Sequence, residues 1–300
     1  MSTTKNIAAS VRQKLLNRAR SDKRPFAELL QYYAMERFLY RLSQSTHSKH
    51  FILKGALMLR VWESPEFRPT MDIDMLGKTS NDEANIVSQI TEILNLAVEP
   101  DGLDFDVNSI QSERIKEDAD YQGVRIRFRG TLDSARINMQ IDIGFGDIVH
   151  PCPEECDLPT MLDFTAPRLL CYSRESAIAE KFEAMVKLGV LNSRMKDFYD
   201  IWLLSRQFNF NGSHLVQAIL LTFKQRGTAL SDDIVAFQAP FIEEKQIQWT
   251  AFRKRLGQEY VPSELVDIIN QLAAFLRPVV ETAQSGDAFD KRWIAPLGWK

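Results

Sequence analysis

Asp72 and Asp74 stand one residue apart in Arg68–Leu76, RPTMDIDML. Alternate side chains of an extended strand share a face. The two carboxylates are therefore expected to point the same way while Met71, Ile73 and Met75 turn to the core. Like charges held that close repel, and the pair becomes favourable when a hard divalent cation with oxygen ligands sits between them. That is the chemistry of phosphoryl or nucleotidyl transfer. A third acid lies on a second alternating stretch, where Ile137, Met139, Ile141 and Ile143 interleave with Asn138, Gln140 and Asp142. Three carboxylates from neighbouring strands can hold two metal ions roughly 3.5 to 4 Å apart, the clamp that stabilises attacking and leaving oxygens in an in-line displacement. Solvated acids on an amphipathic strand give the same letters. Leu103–Val107, LDFDV, offers such a strand within this chain, and Asp104 and Asp106 are expected to be bystanders.

Context separates the two D-x-D pairs. Only the first follows an apolar strand, Phe51–Leu53, that ends near Gly55, where the backbone can turn tightly and present N–H groups to a phosphate. Two later stretches read as helices. From Ser173 to Lys187 the residues Ile178, Phe182, Met185 and Val186 recur at helical spacing with Ser173 as the N-cap, and Lys181 lies beside their stripe. From Ser193 to Ser205, Lys196, Asp197 and Asp200 fall three and four apart and can share one face. Taken alone, Glu180–Lys181 is more often a solvated surface pair, and a surface ion pair explains Lys196 with Asp200 equally well.

LKGA, RPTMDID, QIDIGFGD, AEKFEA and KDFYD occur in that order between Phe51 and Leu204. In this the chain resembles the AbiEii/AbiGii-type nucleotidyltransferase toxins of type IV toxin–antitoxin systems, which share the DNA polymerase β-like nucleotidyltransferase fold. The resemblance implies an α/β (α+β) core with a mixed sheet, flanked by N-terminal helices and a helical C-terminal domain. It implies a nucleoside triphosphate substrate and Mg²⁺, or Mn²⁺ in its place, held by Asp72, Asp74 and Asp142. It extends the nucleotide-binding set to Lys54, Gly55 and Ala56, to Arg68 and Thr70, and to Lys181, Lys196 and Asp197. Lys181 is implied to neutralise the triphosphate, and Asp200 to orient or deprotonate the acceptor hydroxyl. Ala56 departs from the second Gly or Ser common in such enzymes, leaving backbone N–H donors but no hydroxyl. The implied acceptor is RNA, tRNA among the better understood relatives. The implied outcome is growth arrest or phage defence relieved by an antitoxin. A catalytically idle binding module of the same fold and a metal-dependent nuclease are the alternatives.

The 300 residues, 45% of them hydrophobic, suffice for more than one core. The boundaries are expected at 1–45 for the N-terminal helices, 46–165 for the core and 166–300 for the helical domain. Pro151 to Pro167, with four prolines, reads as the connection to an all-helical C-terminal part. No apolar run approaches the roughly 20 residues of a membrane span and MSTTKNIAAS lacks a signal-peptide core, so a cytoplasmic protein is expected. Cys152, Cys156 and Cys171 make a poor zinc set, and reduced thiols are expected. His47, His50, His150 and His214 have no ligand spacing, and hydrolase and zincin motifs are missing. The net charge of −3 hides local basic clusters. One comprises Arg12, Lys14, Arg18, Arg20, Lys23 and Arg24. Another is the face of Arg125, Arg127 and Arg129. Either could meet a phosphate backbone, an acidic antitoxin or solvent.

Overall fold

The computed structural model describes residues 6–66, 68–118 and 121–300, so residues 1–5 of the stretch read for a leader and Phe67 lie outside it. The chain divides into two compact units: residues 1–146 with 154–171, and residues 147–153 with 172–300.

The first unit contains, in chain order, α1 (Ile7–Ser21), α2 (Phe26–Gln44), β1 (Phe51–Lys54), α3 (Met58–Val61), β2 (Ile73–Gly77), α4 (Glu83–Leu94), β3 (Leu103–Asp118), β4 (Tyr121–Leu132), β5 (Ala135–Phe145), β6 (Glu154–Asp157) and β7 (Arg168–Cys171). Its strands form one seven-stranded mixed sheet in the order β3-β4-β5-β2-β1-β7-β6. β2 runs parallel to β5 and β1 parallel to β7, while the other pairs are antiparallel. This is the expected α/β architecture. The sheet runs past the expected boundary at residue 165, because β6 and β7 lie on either side of it; the proline-rich segment is part of the sheet as well as a connection.

Alternation decides which face is buried. Ile73, Met75, Ile126, Phe128, Met139, Ile141 and Ile143 are all buried, and α2 and α4 supply the apolar layer, with Phe38 of α2 against Phe128. Removing such area from water contributes about 25 cal/mol per Å². The opposite face carries Asp74, Asp142, Gln140, Asn138 and the arginines of β4, and stays polar.

Helix α2 is buried on nearly all sides, and its polar residues must therefore find partners. Glu36, 1% exposed, accepts the N–H of Met161 at 2.5 Å, and its other oxygen has no partner. Burial raises its carboxyl from the usual 4.5 to about 7. The sign follows directly. The folded state holds this proton more tightly than the unfolded chain, so the stabilisation is complete below about pH 4.5 and is lost as pH rises through about 7. The first unit is expected to lose about 3 kcal/mol of stability across that window. Urea midpoints measured from pH 5 to 8 would test this, and Glu36→Gln should flatten the profile; parallel profiles for both proteins would exclude Glu36 as the cause.

The second unit contains α5 (Arg174–Leu188), α6 (Met195–Gln207), β8 (Phe210–Asn211), α7 (Gly212–Gln225), α8 (Ala239–Leu256), α9 (Leu265–Ser285), β9 (Arg292–Ile294) and β10 (Gly298–Trp299). Ser173 caps α5 as expected, accepting the N–H of Ser176. The unit is mainly helical but not all-helical, since β8, β9 and β10 form a small antiparallel sheet. These strands are two or three residues long, too short for an alternating pattern to register. Among the described residues no helix is long and apolar enough to cross a membrane. All three cysteines are free.

Candidate active site

The first unit brings Asp72, Asp74 and Asp142 together, each half-buried, with one carboxylate oxygen from each within 4.8 Å of the others. Parallel pairing of β2 with β5 causes this, placing Asp74 directly opposite Asp142. Three hard oxygen donors at this spacing fit a divalent cation. Among the described residues no other group of acids, histidines or cysteines converges in this way.

Asp72 lies just before β2 and is fixed by its surroundings. Thr70, buried at 7% exposure, donates its hydroxyl to Asp72 Oδ1 at 2.5 Å, and the Thr70 N–H donates to the Tyr32 hydroxyl at 3.1 Å. Gln31 Nε2 donates to the carbonyls of Met71 and Asn138 at 3.0 and 3.1 Å, tying the approach to β2 to strand β5. Met71 corrects the expectation that it faces the core, for it is 54% exposed. Ladder pairing of β2 begins only at Ile73, so strand alternation does not yet govern residue 71.

A row of charges crosses the sheet through the site: Lys54, Asp74, Asp142, Arg125 and Glu113 stand opposite one another on successive strands. Arg125 grips Asp142 with both ends of its fork, Nε to Oδ1 and Nη2 to Oδ2, each at 2.7 Å. The bond to Asp142 raises Arg125 further above the usual guanidinium range, against the burial that would lower it. A carboxylate has about four lone-pair positions, so this clamp orients Asp142 and leaves sites for a cation. The basic face of β4 thus differs from the expectation in part. Arg125 serves the acidic cluster, while Arg127 and Arg129 lie further along the face.

Gly55 follows β1 with φ of +74° and packs against Asp74: a Cβ there would overlap the Asp74 carboxylate and lie 2.7 Å from its Cβ. Lys54 is half-buried and its ammonium lies near Gly144, two residues beyond Asp142 on β5, whose hypothetical Cβ would be 3.6 Å from the Lys54 Nζ. Ala56 is buried, and Arg68 is half-buried in the loop ahead of Thr70. Asp104 and Asp106 are exposed on β3, with Asp106 bonded to Arg129. In the N-terminal cluster Arg18 bonds Asp22 and the Met161 carbonyl, and Arg24 bonds Glu28.

The second unit holds its own charged cluster. Lys181 of α5 bonds Asp197 at 3.1 Å and Asp200 at 2.8 Å, and both acids of α6 are at least 95% buried. Lys181 is therefore paired with α6 and not simply with its neighbour Glu180. Lys196 corrects the expectation of a shared face, for it is exposed while the two aspartates turn inward. It is the second residue of α6, and Lys181 from α5 already compensates both acids. Asp147 is buried and clamped by Arg226, which also reaches Glu183 and Glu180.

Removing one partner from a buried charge cluster strands the others. Lys181→Met is therefore expected to cost roughly 3 to 5 kcal/mol. Chemical denaturation of the full chain, followed by a probe in the second unit, measures it. A cost below about 1 kcal/mol would place Lys181 in the ordinary surface-pair class.

Sequence reasoning missed three positioning residues. Arg125 was legible in principle, because the turn at Asp133–Ser134 fixes the β4–β5 register and counting back from it sets Arg125 against Asp142. Gln31 and Tyr32 had no such signal, as they act from a distant helix.

A seven-stranded mixed sheet with three convergent aspartates defines an α/β protein with a candidate cation site. Residues 37–276 match the family described as the nucleotidyl transferase AbiEii toxin of type IV toxin–antitoxin systems, and the chain belongs to it. Two solved structures from Helicobacter pylori are similar at 13% identity. One is a candidate nucleotidyltransferase, with 87% of this chain and 98% of that chain covered at a TM-score of 0.47. The other is JHP933, with 83% and 92% covered at 0.45. No curated protein matches the chain.

Proposed function

We propose that this member of the AbiEii family transfers a nucleoside monophosphate from a nucleoside triphosphate to an acceptor hydroxyl, with RNA, such as tRNA, as the acceptor class. The observation that carries the reading is the convergence of Asp72, Asp74 and Asp142. Those residues would hold Mg²⁺ or Mn²⁺, which supplies Lewis-acid polarisation of the phosphate oxygens. The chain's own groups do the rest. Backbone N–H donors at Gly55 and Ala56 face the phosphates, Ala56 having no hydroxyl to add. Lys54, in the row with Asp74, offers a positive charge to the same phosphates. The acceptor oxygen attacks the α-phosphorus as its proton passes to a carboxylate of the acidic cluster. A new O–P bond forms, the bond from the α-phosphorus to the bridging oxygen breaks, and pyrophosphate leaves.

Asp200 is implied by the family pattern as the base. Its carboxylate is 4% exposed and bonded to Lys181, so a hydroxyl has no open approach to it. We therefore assign the proton to Asp142 or its neighbours, and leave Lys181, Lys196 and Asp197 as triphosphate-binding candidates on the family pattern alone. The toxic outcome, phage defence and relief by an antitoxin rest on the same pattern.

Incubating the protein with Mg²⁺, each labelled triphosphate and total RNA tests the reading. Label appearing in RNA is expected. RNA shortening would mean a nuclease, and no change in label or RNA length would mean an idle binding module.

A further inference from the structure

The polar face of the first unit continues beyond the acidic row. The next row across the sheet contains Gln140 and Arg127, and the one after it Asn138, Arg129 and Asp106. These rows floor a cavity of about 650 Å³ that opens beside Asp72. Its far wall is an irregularity in β3: four residues lie between Asp106 and Gln111 where β4 has only Phe128, and the extra chain, with Asn108 and Ser109, stands over the groove. Such bulges redirect side chains at functional sites. The Ser109 hydroxyl accepts the Arg129 N–H at 2.8 Å, which fixes this wall to the floor.

The lining has the chemistry of a polynucleotide site. Arg127 and Arg129 are 45% and 68% exposed, and each is steadied by one acid, Glu113 and Asp106 respectively. Asn108, Asn138 and Gln140 bring amides that both donate and accept, as base edges and ribose hydroxyls require. Met71, a large apolar side chain at 54% exposure, borders the cavity next to Asp72 and offers a surface for a base. The volume lies within the roughly 300 to 1,000 Å³ that encloses small ligands, room for about one or two nucleotides and far too little for a duplex. A protein partner would call for a broader surface with an apolar centre.

Sheet order separates this groove from the triphosphate side. Gly55 and Lys54 flank β2 through β1, whereas the groove lies on the other side of β2, over β5, β4 and β3. We propose that the groove binds the single-stranded end of the acceptor RNA, with Arg127 and Arg129 on its phosphates and Asn138 and Gln140 on its sugars or bases. This rests on the nucleotidyl-transfer reading for the word acceptor. The binding itself does not depend on that reading.

The test is fluorescence anisotropy of a short labelled single-stranded oligoribonucleotide with the full chain, without triphosphate, over a range of salt. The double variant Arg127→Gln/Arg129→Gln is expected to bind about tenfold or more weakly and to lose about 1.4 from the slope of log affinity against log salt, about 0.7 for each phosphate contact. Asn138→Ala/Gln140→Ala should weaken binding several-fold with the slope unchanged. Triphosphate affinity, measured separately, should hold in both. Unchanged oligonucleotide affinity and slope in the arginine variant would overturn the proposal. So would a loss confined to triphosphate binding, which would make the groove a nucleoside pocket, or a loss confined to antitoxin binding. If the wild-type chain transfers no label while the arginine variant still loses the oligonucleotide, the functional reading fails and the groove stands. Intact transfer with unaltered oligonucleotide binding sinks the groove alone.

Discussion

Asp72→Ala or Asp74→Ala is expected to lower nucleotidyl transfer by roughly three orders of magnitude or more while the protein stays folded. Three carboxylates within 4.8 Å repel one another; the Thr70 hydroxyl bonds Asp72, and Arg125 and Gln140 bond Asp142. Deleting one acid relieves that repulsion, so thermal stability should hold or rise. A variant that loses transfer while melting at or above the wild-type temperature is what a cation site predicts; a structural acid would lose both together. Asp142→Ala is a less clean test, because it also releases Arg125 from two 2.7 Å bonds. Asp104→Ala is the appropriate silent control. Asp106 is less suitable, since its bond to Arg129 places it at the edge of the proposed groove. Full transfer by either Asp72→Ala or Asp74→Ala would remove the metal-site reading altogether.

The strands that build this site were legible because their two faces differ in kind. Ile137, Met139, Ile141 and Ile143 against Asn138, Gln140 and Asp142 leave one assignment of inside and outside, and a one-residue slip would bury the acids. Val124, Ile126 and Phe128 against three arginines do the same for β4. What single-strand patterns cannot carry is partnership. That β2 lies parallel to β5, so that Asp74 meets Asp142, depends on tertiary packing and long-range register. The pairing of β7 with β1 is likewise non-local, which is why a proline-rich stretch concealed a return to the sheet. Met71 and Lys196 were misplaced for a common reason. Each sits at the end of an element, Met71 before its strand's ladder begins and Lys196 in the first turn of its helix, where periodicity is weakest as a guide. For Lys181 the ambiguity between a surface pair and a buried one was resolved by α6, whose two inward aspartates no reading of α5 alone could reveal.

Gly55→Ala should be nearly as damaging as loss of an aspartate, though the residue bears no functional group. Two separate costs meet at this position. At φ of +74° an L side chain clashes with its own backbone, a strain of about 1 to 2 kcal/mol. The added methyl would also be driven into Asp74, the middle acid of the cluster, which β1 and β5 flank on either side of β2. The variant can fold by letting Asp74 or the turn shift, and that shift is the source of the catalytic loss. Displacing a reacting or metal-holding group by about 1 Å typically costs a hundredfold in rate. Transfer is therefore expected to fall about a hundredfold or more, with the Mg²⁺ concentration needed for half-maximal activity rising, for a stability loss of only a few kcal/mol. Gly144→Ala on β5 supplies the contrast. A methyl there would meet Lys54 Nζ at 3.6 Å, an ordinary contact, and should leave transfer within a few-fold of wild type. Equal tolerance at both glycines would show that the close approach of Gly55 to Asp74 has no part in organising the acids.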